Sequence, residues 1–375
     1  MNFDFSDDQK LLKQTVHDYL RSHCSLAVNR GVLEGDAPYS EKVWQGVAEM
    51  GLLGTAIPEA YGGAGLGHLE LALIAEEMGR ALAPIPFSST AYLATEALCL
   101  YGTQAQKERY LPKIAAGEVI GTLAHVEEGG RPVASDLKTR FVGAKGGRGE
   151  GGKLCGEKAP VLDGDVAALA VVSALEGDAP CLALVDLSAD GVARSALRSI
   201  DPSRSQARLT LTDAPAERLG EVGAGWAQLS HLLDRAAVLT AFEQLGGADR
   251  ALAITLDYTR DRYTFGRPVA SYQAIKHRLA DLFVTLELAR SNSYYGAWAL
   301  HAGSPELATA ACASRAAASQ AFDLAGTEMV QLHGGVGFTW EADCHLFYRR
   351  ARLLSLWLGS PGAWQDKLIR RLAAA

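Results

Sequence analysis

Three zones of different hydrophobic period follow one another along the chain. Up to about residue 120 the apolar positions recur at helical spacing. Ser6-Asp7-Asp8-Gln9 forms a capping-box pattern, in which a hydroxyl and a glutamine three residues on serve each other's backbone N–H groups. It opens a stripe through Leu11, Leu12, Val16 and Leu20, and Thr103-Gln104-Ala105-Gln106 is a second such box ahead of Tyr110, Leu111 and Ile114. Between them lies YGGAGLG (Tyr61 to Gly67), which no strand pattern precedes, so it predicts a tight interhelix turn rather than a phosphate loop. From about 121 to 222 the period shortens. Gly121–Val126, Ala167–Ser173, Cys181–Asp186 and Ala207–Thr212 are rich in β-formers and separated by Gly, Asp and Pro, which predicts an antiparallel sheet domain closing into a small barrel. Ala144 to Lys153 (AKGGRGEGGK) reads as a mobile hairpin loop, because glycines leave little to pack. From about 223 to 375 helical spacing returns over Trp226–Thr259, Tyr272–His301, Glu306–Leu332, Glu341–Trp357 and Ala363–Leu372, lengths that suit a helical bundle. The expected domains are therefore 1–120, 121–222 and 223–375.

Composition narrows the class. A chain of 375 residues with 48% apolar content can bury two or three substantial cores. Its net charge of −7 argues against a nucleic-acid surface, which needs clustered positive charge. The cluster Arg349, Arg350 and Arg352 reads as a solvated helix face or an ion-pair network rather than an anion site. The six cysteines are scattered, without a C-x-x-C pair or histidines at metal spacing, so free thiols in a reducing compartment are expected and no metal site. The N-terminus MNFDFSDDQK is acidic and lacks an apolar core segment, and no apolar run is long enough to span a bilayer. These features predict a cytoplasmic protein.

Two features carry candidate chemistry. Arg262 to Asp281 (RYTFGRPVASYQAIKHRLAD) joins two long helical stretches through an Arg-aromatic-Gly-Arg-Pro turn. Upstream, Glu243 is the sole charge between Ala236 and Ala248, with Gly246-Gly247 beside it. A carboxylate in an apolar helix near glycines is the pattern expected of a buried proton acceptor.

Together with GLLGTAIPEAYGGAGLG (Gly51–Gly67), KERYLPKIAAGE (Lys107–Glu118) and QLHGGVGFTWEADCHLFYRRA (Gln331–Ala351), that segment makes the chain resemble the acyl-CoA dehydrogenase family over essentially its whole length. The resemblance implies an α+β multi-domain fold: an N-terminal α-helical domain, a middle antiparallel β-barrel domain and a C-terminal four-helix bundle. It implies FAD as cofactor, with Arg262 and Gln273 on the pyrophosphate, Phe265 near the adenosine part, and Gln331, Gly334 and Gly335 against the dinucleotide of a partner subunit. An Arg guanidinium suits a phosphate, and paired glycines let backbone N–H groups approach an anion. The bland alternative for Arg262 is an ion pair with Asp257 or Asp261. The activity implied is α,β-dehydrogenation of an acyl-CoA thioester to the 2-enoyl-CoA. A carboxylate takes the α-proton and flavin N5 the β-hydride, and electron-transfer flavoprotein serves as acceptor. A dimer or tetramer is expected.

The chain departs from the family's commonest pattern at the base. Leu358 stands where the C-terminal Glu is usual, and Ala236 or Ala237 occupies the second known location. Glu243, two helical turns beyond Ala236, is the candidate α-proton acceptor, as in a bacterial subset lacking the C-terminal Glu. The bland alternative pairs Glu243 with an arginine such as Arg250. The flavin-lining T-E-P…G-S-D loop is replaced by Ala124–Asp136, and the Trp-Ile-Thr-Asn phrase by Pro160-Val161-Leu162-Asp163. These changes keep open a second reading, a catalytically degenerate partner subunit of a heteromeric enzyme. A more distant third is a relative that oxygenates or reduces a small substrate.

Overall fold

Helices dominate both ends of the chain and strands its middle. The computed structural model describes residues 5–127, 134–143, 151–221 and 223–374. The first helices are α1 (Asp7–His23), α2 (Leu26–Glu34), α3 (Glu41–Glu49), α4 (His68–Arg80), α5 (Thr95–Tyr101) and α6 (Gln104–Ala115). Strands β1 (Gly121–Ala124), β2 (Arg140–Gly143), β3 (Gly151–Leu162), β4 (Leu169–Glu176), β5 (Ala179–Asp186), β6 (Val192–Ala196) and β7 (Gln206–Leu219) follow. Then come α7 (Gly225–Asp261), the short strands β8 (Tyr263–Thr264) and β9 (Arg267–Pro268), α8 (Gln273–His301), α9 (Leu307–Leu332), α10 (Cys344–Trp357) and α11 (Pro361–Ala374). By contact, residues up to Glu34, His68–Pro84 and Ala237 onward form one unit, while Gly35–Gly67 and Ile85–Ala236 form another; α7 begins in the second and ends in the first.

The capping boxes are present as expected. Ser6 and Thr103 each accept from the backbone three residues on, and Gln9 and Gln106 return the bond. The Tyr61–Gly67 turn is tight for a steric reason: Gly62, Gly65 and Gly67 adopt positive φ, and a Cβ on Gly63 would lie 2.0 Å from the Ile57 carbonyl oxygen.

In the unit holding the strands, the pairings β4–β5–β7–β3–β2 return to β4 through the Arg140–Leu175 bridge, which closes a small barrel. The sheet is not antiparallel throughout, since β1 and β2 both run parallel to β4. Long connections separate these strands in sequence, and long connections are what parallel neighbours require. Residues 151–153 of the expected glycine loop belong to β3, and the rest of that loop lies outside the described residues. The β3 glycines mark close passes instead: a Cβ on Gly152 would meet the Phe141 ring at 2.6 Å, and one on Gly156 would meet Thr139 Oγ1 at 2.6 Å.

In the other unit α7, α8, α9 and α10 share one apolar core, with Leu245 and Leu252, Leu282 and Leu286, Phe322 and Met329, and Phe347 and Leu354 among its members. Gly246 of α7 and Gly79 of α4 let two backbones touch. A Cβ at either position would fall 1.7 Å from a carbonyl oxygen, that of Glu76 or of Glu243. Gly247 faces the Phe322 ring. The glycines flanking Glu243 thus serve helix crossing. Around this crossing runs a charge network in which buried Glu76 receives Lys13 at 2.6 Å, Arg290 at 3.1 Å and Arg80 at 3.3 Å, and both arginines also reach Asp249 at 2.8 Å.

Candidate active site and cofactor-facing end

Glu243 is 3% exposed, on the stretch of α7 that the apolar pattern predicted. Among the charges that act on it is one the sequence pattern did not single out. Arg250 is exposed, whereas Arg315 of α9 is wholly buried and feels the Glu243 and Asp323 carboxylates. Burial pulls the Arg315 guanidinium down to about 9 against the upward push of those two acids. Arg315 donates to the Gln244 amide oxygen, to Ser319 Oγ at 2.6 Å and to the Leu354 carbonyl. The residue beside Glu243 and the last turns of α10 therefore meet at one buried guanidinium. Sequence reasoning passed over Arg315, although the same kind of signal marks it: it is the sole charge in the apolar run from Leu307 to Phe322.

Leu358, at the usual position of the base, is buried just past α10, with its carbonyl capped by Trp364 Nε1 at 3.1 Å. Ala236 and Ala237 are fully buried. In the arginine cluster on α10 an ion pair is present as the sequence allowed, but Arg350 is not solvated. Arg350 is 1% exposed and donates to the Ala83 and Leu82 carbonyls at 3.3 and 3.4 Å, while Arg352 pairs with Asp323 at 3.2 Å. A buried guanidinium here caps the chain after α4, where Leu82 has φ 48°.

The remaining candidates gather at one end of the bundle. The Arg262 carbonyl accepts from Val269 N at 2.8 Å as the chain leaves α7 and enters the β8–β9 hairpin. Phe265 and Gly266 form its two-residue turn with φ 50° and 80°, a type I′ pattern that only tolerates Phe at a cost. The Phe265 ring is 98% exposed. Arg262 is exposed and has no carboxylate partner among the described residues, so the alternative pairing with Asp257 or Asp261 is absent; Asp257 lies 3.8 Å from Arg260 instead. Gln273 opens α8, exposed on the first turn of a 29-residue helix, where free backbone N–H groups and the helix dipole favour an anion. Gln331 is exposed in the last turn of α9. Gly334 has φ 62°, and a Cβ on either Gly334 or Gly335 would meet nothing within 4 Å. The His333 ring stacks on Tyr258 at 4.1 Å, and Tyr258 Oη donates to the His333 carbonyl at 3.2 Å. Tyr258 sits one turn before Arg262, so the structure brings both candidate stretches together. An exposed guanidinium, an exposed aromatic ring, a helix N-terminus and open glycine backbone fit an anionic, aromatic dinucleotide.

In the strand-bearing unit, Ala124 to Glu127 leads into 128–133, which lie outside the described residues. Lys158 is fully buried, bonded to Glu127 at 2.7 Å and Ser173 at 3.2 Å. Burial lowers Lys158 to about 8 despite Glu127. Burial, with Lys158 adding to it, lowers His125 to about 4, and its Nδ1 has no hydrogen-bond partner among the described residues. The phrase Pro160–Asp163 ends β3. Val161 and Leu162 are core residues, and Asp163 pairs with buried Arg204 at 2.7 Å and accepts from Ser89 at 2.6 Å.

Residues 6–118 match the acyl-CoA dehydrogenase N-terminal domain, and residues 223–372 the acyl-CoA dehydrogenase C-terminal domain. Among known proteins the chain is similar to acyl-CoA dehydrogenase IpdE2 of Mycobacterium tuberculosis, with 33% identity over 98% of this chain and 96% of that one. Among solved structures it is similar to the Tcur3481-Tcur3483 steroid ACAD (TM-score 0.89, 32% identity, 98% of this chain and 99% of that one). It also shares the fold of butyryl-CoA dehydrogenase from Megasphaera elsdenii (TM-score 0.91, 24% identity, 100% of both chains). Among the described residues no group of His, Cys, Asp or Glu could hold a metal, and no helix is long and apolar enough to cross a membrane.

Proposed function

The chain belongs to the acyl-CoA dehydrogenase family of FAD-dependent oxidoreductases, and on that premise we propose that it converts an acyl-CoA to its 2-enoyl-CoA with Glu243 as α-proton acceptor. The observation that carries the assignment is the buried Glu243 carboxylate in the field of buried Arg315, in a chain whose usual base positions hold Leu358 and Ala236. Bound FAD supplies the two-electron acceptor for the β-hydrogen. Glu243 takes the α-proton, and the buried Arg315 guanidinium contributes a positive field at that carboxylate. Apolar α7 neighbours such as Phe242 and Leu245 keep water from competing. Arg262, Phe265 and Gln273 would hold FAD at the bundle end, and Gln331, Gly334 and Gly335 the dinucleotide of a partner subunit. Electron-transfer flavoprotein is the proposed acceptor, in a dimeric or tetrameric assembly. A ring-bearing acyl group heads the substrate candidates, because a similar structure at 32% identity is described as a steroid ACAD.

Glu243→Gln should retain FAD, read as flavin absorbance, yet lose anaerobic bleaching of that flavin by an acyl-CoA panel running from short to steroid-sized thioesters. Bleaching at the rate of the unaltered protein would remove Glu243 from the mechanism.

A second reading is a partner subunit whose surface completes a site on another chain. It is favoured by two similar structures described with two components, Tcur3481-Tcur3483 and the ChsE4-ChsE5 complex of M. tuberculosis (TM-score 0.90, 25% identity). Such a chain purified alone would be colourless, whereas the enzyme would be yellow.

A further inference from the structure

We propose that Arg30 is a positioning residue for the cofactor-facing stretch Gln331–Gly335, acting through a clasp on the loop that follows it. The inference rests on the proposal that this stretch meets a dinucleotide. Arg30 lies on α2, far from every motif in sequence. Its Nη1 donates to the Trp340 carbonyl at 2.7 Å, and its Nη2 to the Glu341 carbonyl at 3.4 Å and to Asp343 Oδ1 at 2.7 Å. Glu34, one turn further along α2, accepts from Arg30 at 3.2 Å and from Trp340 Nε1 at 2.5 Å. From the other side the Trp340 ring stacks on His345 at 4.4 Å with 13° between planes, and the Arg349 guanidinium lies 5.6 Å from the ring centre.

The loop has little core of its own. Val336 is 50% and Phe338 82% exposed, and the glycines at 334 and 335 have open space around them. Glycine does not restrict its own backbone. Although the chain beyond Gly335 turns through a short 3-10 helix to Phe338 with Gly337 packed on the Val330 carbonyl, the course of Gly334–Gly335 still depends on how the two ends of the loop are held. One end is fixed by His333 on Tyr258. The other is fixed by Arg30, which grips main-chain carbonyls and thereby constrains the backbone itself. A charged donor makes these bonds stronger than neutral ones. Without the clasp the loop would sample more conformations, and binding a dinucleotide would have to order it first.

The experiment titrates full-length apo-protein with FAD and follows the quenching of flavin fluorescence, alongside the urea midpoint of the apo-protein. Arg30→Ala should weaken FAD binding about tenfold, the size of one lost charge-assisted contact of about 1.4 kcal/mol, a loss larger than the accompanying drop in the apo midpoint accounts for. Arg30→Lys, which keeps the charge for Asp343 but loses the forked grip on two carbonyls, should fall in between. Trp340→Phe removes the indole donor and keeps the stack, so it should weaken binding in the same direction and stands in if Arg30→Ala does not fold. Arg262→Ala is titrated in parallel. Weak binding in Arg262→Ala with normal binding in Arg30→Ala would overturn the clasp and leave the cofactor reading intact. Normal binding in both would overturn the cofactor reading and the clasp with it. A loss of affinity in Arg30→Ala that merely tracks a lowered apo midpoint would also overturn it, as the signature of a residue that only supports the fold.

Discussion

At the scale of single residues, the proposed cofactor end and the buried acid make opposite demands. Arg262 is exposed without a carboxylate among the described residues, so its charge is available to a ligand rather than spent within the fold. Arg262→Ala should therefore lower FAD occupancy about tenfold or more, since one charge-assisted contact is worth about 1.5–3 kcal/mol, while leaving the unfolding midpoint of the apo-protein where it was. Equal flavin content in the purified variant and the unaltered protein would remove Arg262 from the binding set. Phe265 supports the same view from strain: a fully exposed aromatic ring on a left-handed backbone has no stabilising role inside the chain. Arg315 is the reverse case. Its guanidinium is closed within Gln244, Ser319 and the Leu354 carbonyl, so it acts on Glu243 through its field.

At the scale of elements, the decisive contact is the crossing of α4 and α7. Side chains normally hold helix axes 8–10 Å apart, and Gly79 and Gly246 remove them where the two backbones meet. Gly246→Ala should destabilise the protein by about 3 kcal/mol, because the new methyl cannot avoid the Glu76 carbonyl without separating the helices. Gly31→Ala is the control. Gly31 sits in α2 with open space around it, so alanine there should be neutral or stabilise by about 0.5–1 kcal/mol. Urea denaturation of both variants reads the contrast, and a Gly246→Ala protein as stable as the unaltered one would mean the crossing is not tight.

At the scale of the whole molecule, burial of ionisable groups sets how stability depends on pH. His125 titrates near 6.5 when unfolded but near 4 when folded, because burial and Lys158 disfavour its cation. Between those values the unfolded chain binds a proton that the folded chain refuses, so stability falls as pH drops from 6.5 toward 4. The loss attributable to His125 is at most roughly 3 kcal/mol. Lys158, lowered to about 8, is charged in both states across that window and contributes no slope there. His231, His333 and His345 are also lowered, mainly by burial, and add to the same trend. The measurement is the difference in urea midpoint between pH 7 and pH 4.5, which should shrink in His125→Asn; an unchanged difference would contradict the assignment.

The long helices of the bundle were legible because a 3.6-residue apolar period sustained over seven or more turns matches the helix and not the two-residue alternation of a strand. The capping boxes, four of the strands, the isolated acid Glu243 and the motif residues Arg262 to Gln273 were equally visible, each depending on neighbours close in sequence. Strands β2, β3 and β6 were not, since β3 carries Gly151, Gly152, Gly156 and Pro160, which speak for a loop until its neighbours are known. Parallel pairing of β1 and β2 with β4, the joining of the 331–335 and 258–262 stretches through His333 and Tyr258, and the coupling of Glu243 on α7 to Arg315 on α9 all depend on residues far apart in the chain. Local period and composition determine which segments become helices and which charges must be buried. Only the packed tertiary structure decides what each buried charge faces, because that partner is chosen by where distant helices cross.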